Sequence, residues 1–121
     1  MNDLITYEFN RESRLLTPGQ FQQVFSKSSR FGSSHFTILI SPNQTNKPRL
    51  GFAVAKKRVK LAVQRNRIKR ITRESFRLKQ HELPNVDMVV LVKSGIDNLD
   101  NDTINKQLAK IWRKLIQRQK S

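Results

Sequence analysis

Apolar residues in this chain gather into short runs whose spacing switches between helical and alternating. Thr17-Pro18-Gly19-Gln20 opens the first predicted helix. Thr17 suits the cap, Pro18 the first helical position, and Gln20 stands three residues after the cap, as a capping box requires. Phe21, Val24 and Phe25 then fall on one face. A serine-rich connection over residues 26–34 follows, with Arg30 and Phe31 inside it. Residues 35–41 alternate, Phe36, Ile38 and Ile40 pointing one way and Thr37, Leu39 and Ser41 the other. Residues 42–48 form a turn-rich loop carrying Asn43, Asn46 and Pro48. Over residues 50–55, Leu50, Phe52 and Val54 oppose Gly51, Ala53 and Ala55. The small side of that strand leaves a shallow face with room for a helix or a ligand.

Residues 61 to about 80 predict a long helix, and Pro84 separates it from residues 86–92. That second run is almost continuously apolar, the pattern of a central strand covered on both faces. Residues 95–102 form a loop rich in Asp and Asn. Asp102 is the predicted cap of a last helix whose buried stripe is Ile104, Leu108, Ile111 and Leu115. Trp112 flanks that stripe, and composition leaves it open between core and surface. The order α-β-β-α-β-α is that of a two-layer α+β domain.

A length of 121 residues suits one domain, read here as residues 1–121, with one modest core. The hydrophobic fraction of 36% is low, but its concentration in runs favours a folded domain over disorder. Charge changes the picture most. Lys and Arg number 24 against 9 Asp and Glu, a formal net charge of +15 that draws polyanions from solution. Nucleic acid is the first candidate and an anionic membrane the rival. No stretch approaches the roughly 20 apolar residues of a spanning helix. Residues 1–10 lack a basic start followed by an apolar block, so no signal peptide is expected. Cysteine is absent, which excludes disulfides, thiolate chemistry and zinc fingers. A cytoplasmic protein is the expectation.

The long helix carries the strongest signal. Lys56-Lys57-Arg58-Val59-Lys60 leads to Arg65-Asn66-Arg67-Ile68-Lys69-Arg70-Ile71-Thr72-Arg73. With Arg65 set at zero on the helical wheel, Lys69 and Arg73 fall near about 40° and 80°. Asn66, Arg77 and Arg70 then lie between roughly 100° and 140°. Ile68, Ile71, Ser75 and Leu78 gather opposite, so one face presents five cations and an amide while the other seats the helix. Arg67, at about 200°, sits at the margin of the apolar stripe. There it either lies along the core edge or pins the neighbouring loop. An ordinary solvated face mixes signs, but Glu74 is the only acid between Lys56 and Lys79. Like charges four residues apart repel by a few tenths of a kcal/mol without a counter-anion. An external anion is therefore expected.

Candidate catalytic groups are sparse. His35 and His81, the only histidines, lie in separate segments, and no cluster has metal-ligand spacing. Asp97, Asp100 and Asp102 sit in an Asn-rich loop where turns and capping account for them, and Asp87 stands apart. The four glycines are scattered, so no phosphate-cradling loop is visible. Phe21 and Phe25 have two readings, core residues or aromatic platforms for single-stranded RNA beside a basic groove.

These residues resemble the protein component of bacterial ribonuclease P over roughly residues 14–116. The likeness rests on Leu16-Thr17-Pro18-Gly19-Gln20-Phe21 with Val24-Phe25, and on Gly51-Phe52-Ala53-Val54-Ala55-Lys56-Lys57. Arg65-Asn66-Arg67-Ile68-Lys69-Arg70 through Arg73-Glu74-Ser75-Phe76-Arg77 is its most specific part, and Asp87-Met88-Val89-Val90-Leu91-Val92-Lys93 completes it. The resemblance implies an α-β sandwich with a mixed sheet and a left-handed βαβ crossover. It implies a catalytic RNA that removes the 5′ leader of precursor tRNA, with Mg2+ held mainly by that RNA and the substrate. The protein partner would bind the RNA and the leader without catalytic groups or a metal of its own. By that similarity Lys56, Lys57, Arg65, Asn66, Arg67, Lys69, Arg70 and Arg73 contact RNA, and Phe21, Phe25, Thr37 and Leu39 line the leader cleft. Many relatives place a glycine between the paired lysines and the arginine motif, where this chain has Arg58-Val59-Lys60-Leu61. Two competing classes are a structural RNA-binding protein without a processing role and a DNA-binding module.

Overall fold

The computed structural model describes residues 13–15 and 17–120. Leu16 of the first motif and residues 1–10, read above for a signal peptide, lie outside the described residues. The chain runs α1 (Pro18–Ser26), β1 (Ser29–Gly32), β2 (Phe36–Pro42), β3 (Arg49–Phe52), α2 (Ala62–Lys79), β4 (Val86–Val92), a 3-10 turn (Ile96–Asn98) and α3 (Asn101–Lys120). The capping box opens α1 as expected: Gln20 N–H donates to Thr17 Oγ1 at 3.2 Å, and Thr17 N–H donates to Gln20 Oε1 at 3.1 Å.

The sheet has the order β1-β2-β4-β3, with β3 parallel to β4 and the other pairs antiparallel. It is the mixed sheet expected, with one strand more than the pattern predicted. That strand, β1, occupies part of the serine-rich connection and pairs Arg30 with Leu39 and Phe31 with Ile38. Its sequence Ser-Arg-Phe-Gly holds one large apolar residue, too few to display alternation. At the other edge, β3 stops at Phe52 rather than Ala55. Ala53 N–H still reaches Val90 O at 2.9 Å, but Ala55 already accepts from Arg58 and Val59 N–H in the next turn.

As its continuous apolar run predicts, β4 lies between two strands and is covered on both faces. Met88 and Val90 join Phe36, Ile38, Ile68, Phe76 and the α3 stripe in the larger core, beneath α2 and α3. Val89 turns the other way and packs with Leu39, Val24 and Leu15 beneath α1. Trp112 is buried, makes an edge contact with Phe76, and donates its indole N–H to Ser75 Oγ at 2.8 Å. That settles it as core.

The cap of α3 is Asp100, not Asp102. Asp100 Oδ1 accepts from Thr103 N–H at 2.8 Å, and its carbonyl accepts from Ile104 N–H at 3.2 Å. The helix starts early enough that Asp102 falls in its first turn, where it suits the positive end of the helix dipole and pairs with Lys106. Asp87 sits on the α1 face of β4, opposite Ser41 of β2 and Arg49 of β3. Its carboxylate accepts two bonds from the Arg49 guanidinium, at 2.7 and 2.6 Å, and one from Asn43 Nδ2 at 2.9 Å. These bonds hold the Arg49 proton more firmly than water does.

Candidate nucleic-acid interface

The buried residues of α2 are Ile68, Ile71, Thr72 and Phe76. On the same wheel they span from about 240° through zero to about 20°, so the seated face is centred nearer 310° than the isoleucines alone suggest. Phe76 and Thr72 shift it, and both escape a reading that follows aliphatic spacing. Arg65 therefore lies at the buried margin. Its guanidinium turns back along the chain and donates to Val59 O at 2.9 Å and Lys60 O at 2.8 Å.

Arg67 does pin a loop. It donates to Gln64 Oε1 at 2.9 Å, to Leu99 O at 3.0 Å and to Asn101 Oδ1, tying α2 to the start of α3. Both arginines of the tripeptide thus spend hydrogen bonds inside the fold, whereas Asn66 between them is exposed. Further along the helix, Arg70 and Arg73 are exposed and Lys69 is half-buried. Lys69, Arg70 and Arg73 make no ion pair among the described residues. Arg77 instead pairs with Glu74 at 2.9 Å, and those hydrogen bonds lower the Glu74 carboxyl below its ordinary range. Lys56 and Lys57 lie exposed in the turn before α2.

A groove of about 360 Å³ joins this helix to the opposite face of the sheet, lined by Arg14, Leu15, Phe21, Leu50, Gly51, Phe52 and Arg73. Phe21 closes onto the edge strand so tightly that a Cβ at Gly51 would stand 2.6 Å from its ring. The small side of β3 is thus shallow because an α1 aromatic occupies it. Across the groove, the Arg73 guanidinium lies over the Phe52 ring, 5.4 Å from its centroid. Phe21 and Arg73, predicted separately, meet here. Phe25, on the same helix as Phe21, is 47% exposed. Thr37 is half-buried on β2, paired with Leu91. Leu39 is only 7% exposed and forms floor beneath α1 rather than open lining. Sequence reasoning missed Arg14 and Phe52 as groove residues. Phe52 stood in a quoted motif but read only as a core position of a strand.

Among the described residues, no group of three or more His, Asp or Glu side chains is placed to hold a metal ion. Asp87 is committed to Arg49 and Asn43, so its carboxylate does not fit a magnesium site. No helix among the described residues is long and apolar enough to cross a membrane.

An α+β sandwich with a bare cationic helix face beside an aromatic-lined groove defines a polyanion-binding protein. The chain belongs to the ribonuclease P protein family, whose model, described as Ribonuclease P, matches residues 9–116. It is 52% identical over 112 residues to the ribonuclease P protein component of Pseudoalteromonas translucida, covering 93% of this chain and 80% of that protein. The Staphylococcus aureus RNase P protein superposes with a TM-score of 0.78 at 25% identity, covering 84% of this chain and 94% of that one. For the Thermotoga maritima RNase P protein the TM-score is 0.74 at 26% identity, covering 84% and 96%.

Proposed function

We propose that this chain is the protein subunit of a ribonuclease P ribonucleoprotein, acting with its RNA subunit in maturing tRNA 5′ ends. It binds the catalytic RNA and the 5′ leader of precursor tRNA, and the RNA carries the hydrolysis. The observation that carries this reading is the exposed stripe of Asn66, Arg70 and Arg73 running into the groove that Phe21 lines. Cations at helical spacing hold phosphates with little regard to sequence, which suits a subunit that meets many leaders. Phe21 and Phe25 offer ring surface to unpaired bases of the leader. Magnesium falls to the RNA and the substrate.

The test is mapping of the 5′ end of a precursor tRNA cleaved by the cognate RNA subunit, with and without this protein, over a magnesium series. The expected result is the same mature 5′ end at a lower magnesium and substrate requirement when the protein is present. An unchanged requirement overturns the reading.

A further inference from the structure

Leu61, Ala62 and Val63 form an apolar run at the head of α2 in which every residue is exposed, Leu61 by 61% and Val63 by 68%. Consecutive apolar residues in water invite unwanted association, and soluble surfaces avoid them unless a partner covers them. Loose packing does not account for this run. Val59, two residues before it, is fully buried in the larger core. Arg65, two residues after it, bonds the carbonyls of Val59 and Lys60. The backbone on both sides is therefore fixed, and the run is held outward.

Its surroundings select the partner. On the α2 wheel Val63 falls near about 160°, beside Arg70 near 140° and Asn66 near 100°. It therefore extends the exposed polar stripe. On the other side Lys56, Lys57, Arg58 and Lys60 are all exposed, and no acid lies between Lys56 and Arg73. RNA offers what this combination needs, with phosphates for the cations and flat base faces for the apolar side chains. A lipid surface fits less well, because an interfacial helix needs an apolar face along its length. The apolar face of α2 is spent on the core.

We propose that Leu61, Ala62 and Val63 form an apolar wedge that packs against unpaired nucleobases of the RNA partner, between two sets of phosphate contacts. Aliphatic side chains serve as wedges against base steps elsewhere in nucleic-acid recognition. The proposal rests on the RNA-binding reading above and adds a contact that salt does not weaken.

The test measures binding of the full chain to cognate ribonuclease P RNA over a salt series. The proteins compared are wild type, Leu61→Ser with Val63→Ser, and Leu61→Phe with Val63→Phe. The serine pair is expected to weaken binding roughly tenfold at every salt concentration. The slope of log affinity against log salt stays as in wild type, because no phosphate contact is lost. The phenylalanine pair is expected to bind at least as tightly as wild type. Both sites are exposed, so thermal melts of the variants should match wild type. A serine pair that binds within twofold of wild type overturns the proposal, as does a loss accompanied by a shallower slope. Two further outcomes overturn it when RNA affinity is unaltered. One is a wild-type dimer that the serine pair disperses; the other is binding to phosphatidylglycerol vesicles that the serine pair loses. Wild type that ignores RNA at all salt concentrations would sink the RNA-binding reading itself, a result visible before any variant is compared.

Discussion

Arg65, Asn66 and Arg67 are adjacent in sequence, and the fold gives each a different task. A helix turns about 100° per residue, so three neighbours cannot share one surface. The outward one is Asn66. Arg65 bonds the carbonyls of Val59 and Lys60, and Arg67 bonds Leu99 O and the Asn101 side chain, contacts that suit both to positioning. A salt series separates positioning from contact. Arg70→Ala is expected to flatten the slope of log affinity against log salt by about 0.7–0.9, the loss of one phosphate. Arg65→Ala is expected to weaken RNA binding with the slope nearly unchanged, because it loosens the turn that carries Lys56 and Lys57 without removing their charges. Equal flattening by both variants would place the Arg65 guanidinium on a phosphate instead. The motif and the separate place of Arg67 were legible in the sequence; the inward turn of Arg65 that completes the division was not. That division depends on Phe76 and Thr72 rotating the seated face, and Thr72 is buried by donating its hydroxyl to Ile68 O at 2.8 Å, a bond no apolar pattern reveals.

Elements with strong local chemistry were the ones read correctly. The Thr17 and Gln20 capping box fixes the start of α1, and the continuous apolar run fixes β4 at the centre of the sheet. Where two residues could do the same job, the sequence pattern favoured the wrong one. Asp100 and Asp102 are both good caps, and the choice turns on where backbone geometry starts α3. Two hydrogen bonds from Thr103, side chain and backbone, hold the Asp100 carboxyl below its ordinary value of 3.8. A carboxylate with a depressed folded pKa stabilises the fold above its unfolded pKa, and that contribution disappears as pH falls through the folded value. Asp100→Ala is therefore expected to melt a few degrees below wild type at pH 7, the usual effect of losing a helix cap. Thermal melts from pH 7 downward should show the gap narrowing below pH 3.8. A gap that stays constant to low pH would mean that the carboxylate charge contributes nothing. Asp102→Ala should behave close to wild type throughout.

At the scale of the molecule, the net charge of +15 sits on a domain too small to separate its cations widely. Self-repulsion in such a field opposes folding, and an anionic partner relieves it. The same field makes RNA affinity a steep function of salt. If the stripe and the lysine turn neutralise about five phosphates of a single-stranded leader, log affinity falls with log salt at a slope near −3.5. Between 50 and 200 mM monovalent salt that amounts to roughly a hundredfold. Filter binding or fluorescence anisotropy with a labelled leader oligonucleotide measures it directly. The slope counts phosphates, whereas the intercept at high salt retains whatever base stacking and apolar packing supply. A protein that held RNA by charge alone would approach no binding near molar salt. The exposed Phe25 ring of α1 and the fixed apolar run at the head of α2 predict that this one keeps a measurable residue of affinity there. A flat response across the whole range would contradict phosphate contact by the α2 stripe and leave its unbalanced charge without a physical reason.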